Sequence, residues 1–453
     1  MMAAFLRFVS LYEGGPQLMA ISAPNTGTST TATGTGTAQS YGAPLATVTT
    51  LFFMWGFLTC LNDILVPHLK PIFDLNYTKV MFIQFAFFGA YFIFSIPSAK
   101  IIDWIGYQRS MVVGLLTMGA GAFLFVPAAS VPSYPLFLGA LIVLAAGITC
   151  LQVAANPYVT VLGKPETASS RLNLTQAFNS LGTFLAPFFG GLFILTQARR
   201  IEDVRAMAPD VLQAYRLHEA ATVKMPYVGL GIALVLLAIA IGSFKLPKIP
   251  HAQHQIGEKV GDSIWKHPNL IFGAIAIFVY VGAEVSIGSF LVNYFGQPEI
   301  GGLPERVAAS FVAFYWGGAM VGRFIGSALL QKIKTGGLLG VCAICAAALV
   351  AISMLTNGHV AMYSIILVGF FNSIMFPSIF TLGVAELGPL TGDGSGIMIM
   401  AIVGGAILPV AQGWIADHIG IHHAFFLPVI CYLYILFFAL SGSKPNSERY
   451  AKA

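Results

Sequence analysis

In the apolar run WGFLTCLNDILVPHLK, residues 55–70, an amide and a carboxylate stand side by side at Asn62 and Asp63. A carboxylate at the centre of an inserting helix costs roughly 2.5–3.5 kcal/mol, so it needs a partner, water or a proton. At the helical period, Trp55, Thr59, Asn62 and Asp63 share one arc about 100° wide, which gathers an aromatic plate, a hydroxyl, an amide and a carboxylate. A second acid, Glu284, stands in YVGAEVSIGSFLVNYFG, residues 280–296. Such groups can bind and release a proton or hold Na+ through oxygen atoms.

Uncharged polar residues form further stripes. Gln84, Phe88, Tyr91 and Ser95 fall within about 60° on one helix, and Thr175, Asn179 and Thr183 within about 80° on another. Gln152 and Asn156 are one turn apart, Gln176 accompanies Asn179, and Asn372 stands alone in a late apolar run. Amides and hydroxyls beside aromatic faces suit a neutral, polyhydroxylated ligand, a sugar rather than an ion or lipid. Each amide could instead fasten helices together. Three stripes on three helices favour a cavity.

The elements that carry these residues are long and apolar. The chain is 57% hydrophobic and 9% charged over 453 residues. Runs of the ~20 residues that cross a ~30 Å hydrocarbon layer recur along it. Twelve spans are predicted, centred near residues 56, 90, 120, 148, 183, 236, 282, 317, 346, 374, 404 and 432. The fold class is an all-α polytopic membrane protein, since a barrel would show short alternating segments. The third, sixth, ninth and twelfth spans are nearly free of polar side chains and are expected to face lipid.

With termini on the cytoplasmic side, most of the 23 Lys and Arg fall inside, which supports a multi-pass protein of the inner or plasma membrane. The net charge of +5 comes without a basic run interleaved with aromatics, so no nucleic-acid partner is expected. All five cysteines lie in apolar spans, and the histidines at 418, 422 and 423 lie at a helix end, so neither metal nor disulfide is expected. No Ser/His/Asp set or phosphate loop is visible. An enzyme, an ATP-driven pump and a cofactor are therefore not expected, and a monomer in the bilayer is.

Residues 1–44, rich in Thr and Gly, are expected to be a disordered tail, with Met1 or Met19 as the start. A first bundle covers 45–247, a cytoplasmic loop 248–266, a second bundle 267–441 and a tail 442–453. A longer outer loop, 197–224, contains the helical pattern PDVLQAYRLHEAATVK. LGTFLAPFFGG at 181–191 and VGGAILPVAQG at 403–413 superimpose at an offset of 222, and Gln152 and Pro157 match Asn372 and Pro377 at an offset of 220. Two parallel six-helix halves follow.

These stretches, with FFMWGFLTCLNDILVPHLK, CLQVAANPYVTVLG and RLNLTQAFNSLG, resemble the fucose and glucose/galactose permeases of the major facilitator superfamily over roughly residues 45–440. The resemblance implies the major facilitator fold of two six-helix bundles, with Asp63 as the coupling acid and Trp55 and Asn179 at the sugar site. It also implies a latch: AKIIDWIGYQR, 99–109, is similar to the family's GxxxDxxG pattern through Asp103 and Gly106, with Arg109 beyond. GWIADHIG at 413–420 has the same spacing at the opposite face and is read as coincidence.

Two departures bear on chemistry. The family's glutamate in the fourth span is Gln152 here, and the asparagines preceding Leu-Asn-Asp are Thr59 and Cys60. The resemblance therefore implies a hexose, glucose or galactose before fucose or an N-acetylhexosamine, with H+ or Na+ as the coupling ion. The expectation is an alternating-access symporter. Cation coupling falls to Asp63, Gln152 and Glu284. Sugar contacts are expected from Trp55, Asn62, Gln84, Gln152, Asn156, Gln176, Asn179, Glu284 and Asn372. The alternatives are a uniporter or drug antiporter on the same fold, or a sugar-sensing receptor that does not transport.

Overall fold

The computed structural model describes the backbone of residues 41–72, 77–131, 133–193, 207–222, 224–247 and 263–445. The predicted disordered tail, apart from its last residues, most of the central loop and the end of the C-terminal tail lie outside the described residues. So do the side chains of 61–82 and of residue 84, which include Asn62, Asp63 and Gln84.

Among the described residues the chain makes twelve helical crossings. The first, α1, is Gly42–Ile72, beginning three residues before the predicted tail boundary. A helical run, Tyr77–Ser130, breaks at Gly106, where φ is 80° and ψ 167°, and so supplies two crossings, α2 (77–105) and α3 (107–130). An L side chain rarely adopts that backbone conformation, so glycine fixes the turn. Then come α4 (Tyr134–Val161), α5 (Ala168–Phe193) and α6 (Lys224–Ser243). The predicted helical pattern in the outer loop is a helix, Pro209–Thr222.

The second half contains α7 (Pro268–Gly296), α8 (Glu305–Leu329) and α9 (Thr335–Leu355). The tenth crossing, α10 (358–383), is interrupted between Asn372 and Met375. The last two are α11 (Gly388–Ile419) and α12 (Ile421–Gly442). Starts and stops follow local chemistry. Proline occupies the first turn of α4 and α7, where a missing N–H costs nothing. The chain leaves α4 at Gly163, whose φ is 100°.

Tyr41 lies beside Gly163, and Ser443 beside Gly336. Both ends of the described chain and the α4–α5 and α8–α9 turns thus share one end of the molecule, called the near end below. Gln108, just after the α2–α3 turn, donates to the carbonyls of Ile241 and Phe244 at the end of α6, and Tyr158 near the end of α4 donates to the Pro247 carbonyl, placing them there too.

Each half wraps around a glycine-lined pair of helices. In the first, α1 lies along α5, and a Cβ on Gly182 would collide with the Phe53 carbonyl oxygen. In the second, α7 lies along α11, and a Cβ on Gly404 would collide with the Phe278 carbonyl oxygen. The glycines matched in sequence at an offset of 222 therefore occupy equivalent close approaches, which is the internal repeat expressed as packing.

Exposed apolar side chains at helical spacing mark lipid-facing stripes: Ile232, Leu236 and Ile239 on α6, Val341 and Ile344 on α9, and Ile430, Leu433, Phe437 and Leu440 on α12. One correction applies to α12. Its Tyr432 is fully buried, beside Asn372, so this helix also contributes a polar atom to the interior. The spacing match at GWIADHIG carries the same backbone turn as the α2–α3 junction, with Gly420 at φ 84° and ψ 153°. Its Asp417 takes no ion pair among the described residues.

Candidate functional site

Two prolines open equivalent helices of the two halves. Pro157 in α4 and Pro377 in α10 lack an N–H, so the carbonyls four residues earlier, Val153 and Ser373, have no helical donor. Both carbonyls are used again. Ser395 Oγ on α11 donates to Val153 at 2.8 Å, across the two halves, and Arg323 Nε on α8 donates to Ser373 at 3.3 Å.

One turn before each proline-opened segment stands an amide. Gln152 Nε2 donates to the Tyr91 hydroxyl of α2 at 2.7 Å, and Asn372 Nδ2 donates to the Tyr315 hydroxyl of α8 at 2.9 Å. The two sequence-matched amides thus hold equivalent tyrosines. In the second half this pair continues. Tyr280 Oη reaches the Asn372 carbonyl at 3.1 Å and donates to Glu284 Oε1 at 2.8 Å.

The other predicted first-half residues differ in their surroundings. Trp55 is buried and tilted against Phe52, their ring centroids 4.3 Å apart. Asn179 Nδ2 donates to the Phe52 carbonyl at 2.9 Å, so its amide fastens α5 to α1. Asn156 is fully buried, and both its side-chain polar atoms lack a partner among the described residues, as does Thr59 Oγ1. Gln176 is buried, and its carbonyl accepts from the Ser180 hydroxyl at 3.2 Å and from Arg323 at 3.5 Å. Asn62, Asp63 and Gln84 belong to α1 and α2, but their side chains lie outside the described residues.

The halves touch along the near end. Ser170 Oγ donates to the Ser327 carbonyl at 2.6 Å, Thr335 Oγ1 meets Ser169 Oγ at 2.9 Å, and Asn173 Nδ2 donates to the Arg323 carbonyl at 2.7 Å. The Arg323 guanidinium also donates to the Ser180 hydroxyl. The latch differs from expectation in its partners. Gly106 makes the turn and Asp103 is 3.5 Å from Lys100 Nζ, while Lys100 reaches Asp393 of α11 at 2.8 Å. Arg109 is exposed and takes no ion pair among the described residues, because it lies past the Gly106 turn, on the α3 side. The second-half participant is Asp393 in TGDGSG.

Arg323, which the sequence analysis does not single out, joins the two halves here. It lies six residues inside α8, which ends at Leu329. The available signal was an arginine within the apolar run FYWGGAMVGRFIGSAL. Lys100 and Asp393 carried no comparable signal, being 293 residues apart.

The family model described as "Major Facilitator Superfamily" matches residues 45–402. The chain belongs to the major facilitator superfamily. It is 54% identical over 406 residues to a glucose/galactose transporter of Brucella abortus, covering 90% of this chain and 95% of that protein. It is 36% identical over 414 residues to the L-fucose-proton symporter of Escherichia coli, covering 89% and 93% of the two chains. A crystal structure of FucP, a major facilitator transporter in the outward conformation, superimposes with a TM-score of 0.84 at 34% identity, covering 90% of this chain and all of that one. The twelve crossings in two repeated halves are therefore the major facilitator fold, a multi-pass membrane architecture for transport rather than catalysis.

Proposed function

We propose that this major facilitator protein imports a hexose, glucose or galactose, together with a cation, by alternating access in the inner or plasma membrane. The observation that carries the reading is the repeated amide–tyrosine pair, Gln152–Tyr91 and Asn372–Tyr315, set on equivalent helices of the two halves. Neutral donors and acceptors presented from both bundles, with Trp55 as an aromatic plate, suit a sugar bound between them. Relatives named as glucose/galactose transporters support the hexose, and the relative named as a fucose-proton symporter supports a proton as the coupling ion.

Asp63, in the sequence of α1, is the coupling acid and acts with Glu284, since Gln152 cannot titrate. Asn62, Gln84, Gln152, Asn156, Gln176, Asn179, Glu284 and Asn372 supply sugar contacts. With cytoplasmic termini the near end is the cytoplasmic end, and its Lys100–Asp393, Ser170–Ser327 and Asn173–Arg323 contacts close the inner side, giving the outward-facing state. The unit is a monomer in the bilayer.

The test is counterflow in proteoliposomes with a sugar panel, repeated under imposed pH or Na+ gradients. Counterflow of glucose and galactose with accumulation under the pH gradient is expected. Counterflow without accumulation under either gradient would make the protein a uniporter, and no counterflow with retained binding would make it a sensor.

A further inference from the structure

Arg323 makes contacts that a merely structural arginine of one bundle would not. Its side chain is anchored on the Ser373 carbonyl that Pro377 leaves open, while the guanidinium reaches across the interface to the Ser180 hydroxyl and the Gln176 carbonyl of α5. The Arg323 carbonyl accepts from Asn173 of the same facing helix. Among the described residues all of its acceptors are neutral, so the cation holds the near end without an ion pair of its own there.

When the near end opens, α5 and α8 must part, and Arg323 loses Ser180 and Gln176. A half-buried guanidinium deprived of acceptors is costly. The Glu284 carboxylate of α7 is tied to the same α10 break, because the Tyr280 hydroxyl meets both Glu284 and the Asn372 carbonyl, next to the Ser373 carbonyl that holds Arg323. The charged and titratable groups facing Glu284 among the described residues are Arg323 and Tyr315 from α8, Tyr280 from its own helix and Tyr432 from α12. Arg323 is the cation of that set.

We propose that Arg323 is the strut of the near-end gate, held by the proline-opened Ser373 carbonyl, and that Glu284 receives its guanidinium when the gate opens. Arg323 is then a positioning residue that links the access state to the charge at Glu284. An anionic Glu284 eases release of the strut, and a neutral one hinders it. The inference rests on alternating access, which counterflow by the parent protein tests separately.

The experiment reads gate opening at Ser327, which is 1% exposed beneath the Ser170 contact. Ser327→Cys is labelled with a maleimide in inverted membrane vesicles, and the labelling of the five native cysteines is subtracted. Arg323→Gln is expected to raise the labelling rate roughly fivefold or more, within the usual range of conformational coupling. Arg323→Lys, which keeps the charge, restores most of the closure. Pro377→Ala, which returns an amide to compete for Ser373, gives a smaller rise with the arginine intact. Glu284→Gln slows labelling, and Arg323→Gln/Glu284→Gln labels like Arg323→Gln alone. Unchanged labelling in Arg323→Gln, or additive effects of Arg323→Gln and Glu284→Gln, would overturn the proposal. If Arg323→Gln fails to fold, parent-like labelling in both Pro377→Ala and Glu284→Gln overturns it.

Discussion

The Gln152 amide donates to the Tyr91 hydroxyl at 2.7 Å, and 220 residues later Asn372 donates to the Tyr315 hydroxyl at 2.9 Å. The two pairs differ in what remains unsatisfied. Asn372 is fully buried with its Oδ1 unpartnered among the described residues, so Tyr315→Phe strands a second polar atom of that side chain. A cost of about 1–3 kcal/mol is expected. The loss should appear as a lower unfolding temperature in detergent and a raised KM in sugar counterflow. Tyr91→Phe should raise KM with a smaller loss of stability, because Gln152 keeps 5% exposure. Equal stability of Tyr315→Phe and the parent would show that the Asn372 amide finds another partner.

The repeated close approaches at Gly182 and Gly404 give a test of the internal symmetry. A Cβ at either position meets a backbone carbonyl, of Phe53 or Phe278, which cannot swing aside as a side chain can. Gly182→Ala and Gly404→Ala should each destabilise by about 1–3 kcal/mol through overpacking. Thermal unfolding of the purified variants checks this. A loss at only one site would mean that the halves are not equivalent there.

At the latch, Lys100 is half exposed, so its ion pairs with Asp103 and Asp393 contribute at most about 1 kcal/mol. Asp393→Asn should therefore increase maleimide labelling of Ser327→Cys by only a few-fold, less than Arg323→Gln. The effect should shrink in high salt, as exposed pairs are screened. A salt-independent increase would place the stabilisation elsewhere, for example in the Ser395–Val153 hydrogen bond.

Gln152→Glu places a carboxylate beside Tyr91 in the first bundle. If the fourth crossing lies on the cation path, sugar uptake by this variant should depend more steeply on external pH than uptake by the parent. Superimposable pH profiles would remove residue 152 from that path and leave it a sugar contact alone.

Much of this arrangement was legible in the sequence because glycine and proline have local backbone consequences. The offset matches of Gly182 with Gly404 and Pro157 with Pro377 predict two repeated halves, which the structure expresses as repeated close approaches and open carbonyls. The helical period gathered Gln84, Tyr91 and Ser95 on one stripe, and Tyr91 does meet Gln152. Long-range electrostatics was not legible. The acceptors of Arg323 lie 50, 143 and 147 residues away in the chain, so no local pattern reveals them. Asp393 lies in a glycine-rich stretch with no periodic neighbour, and its partner Lys100 is fixed only by tertiary packing. Asn179 was placed at the sugar site by its polar stripe and by resemblance; its Nδ2 also donates to the Phe52 carbonyl, a contact that no local pattern reveals.

The central claim is that the carboxylate of Asp63 couples a cation to sugar movement. The direct measurement is sugar accumulation in proteoliposomes under an imposed gradient, comparing the parent with Asp63→Asn. For one proton per sugar, a gradient of one pH unit sustains about tenfold accumulation, since each tenfold ratio corresponds to about 1.4 kcal/mol. The parent should concentrate glucose or galactose toward that limit, while Asp63→Asn loses accumulation and keeps sugar-for-sugar counterflow. Full accumulation by Asp63→Asn would contradict the claim.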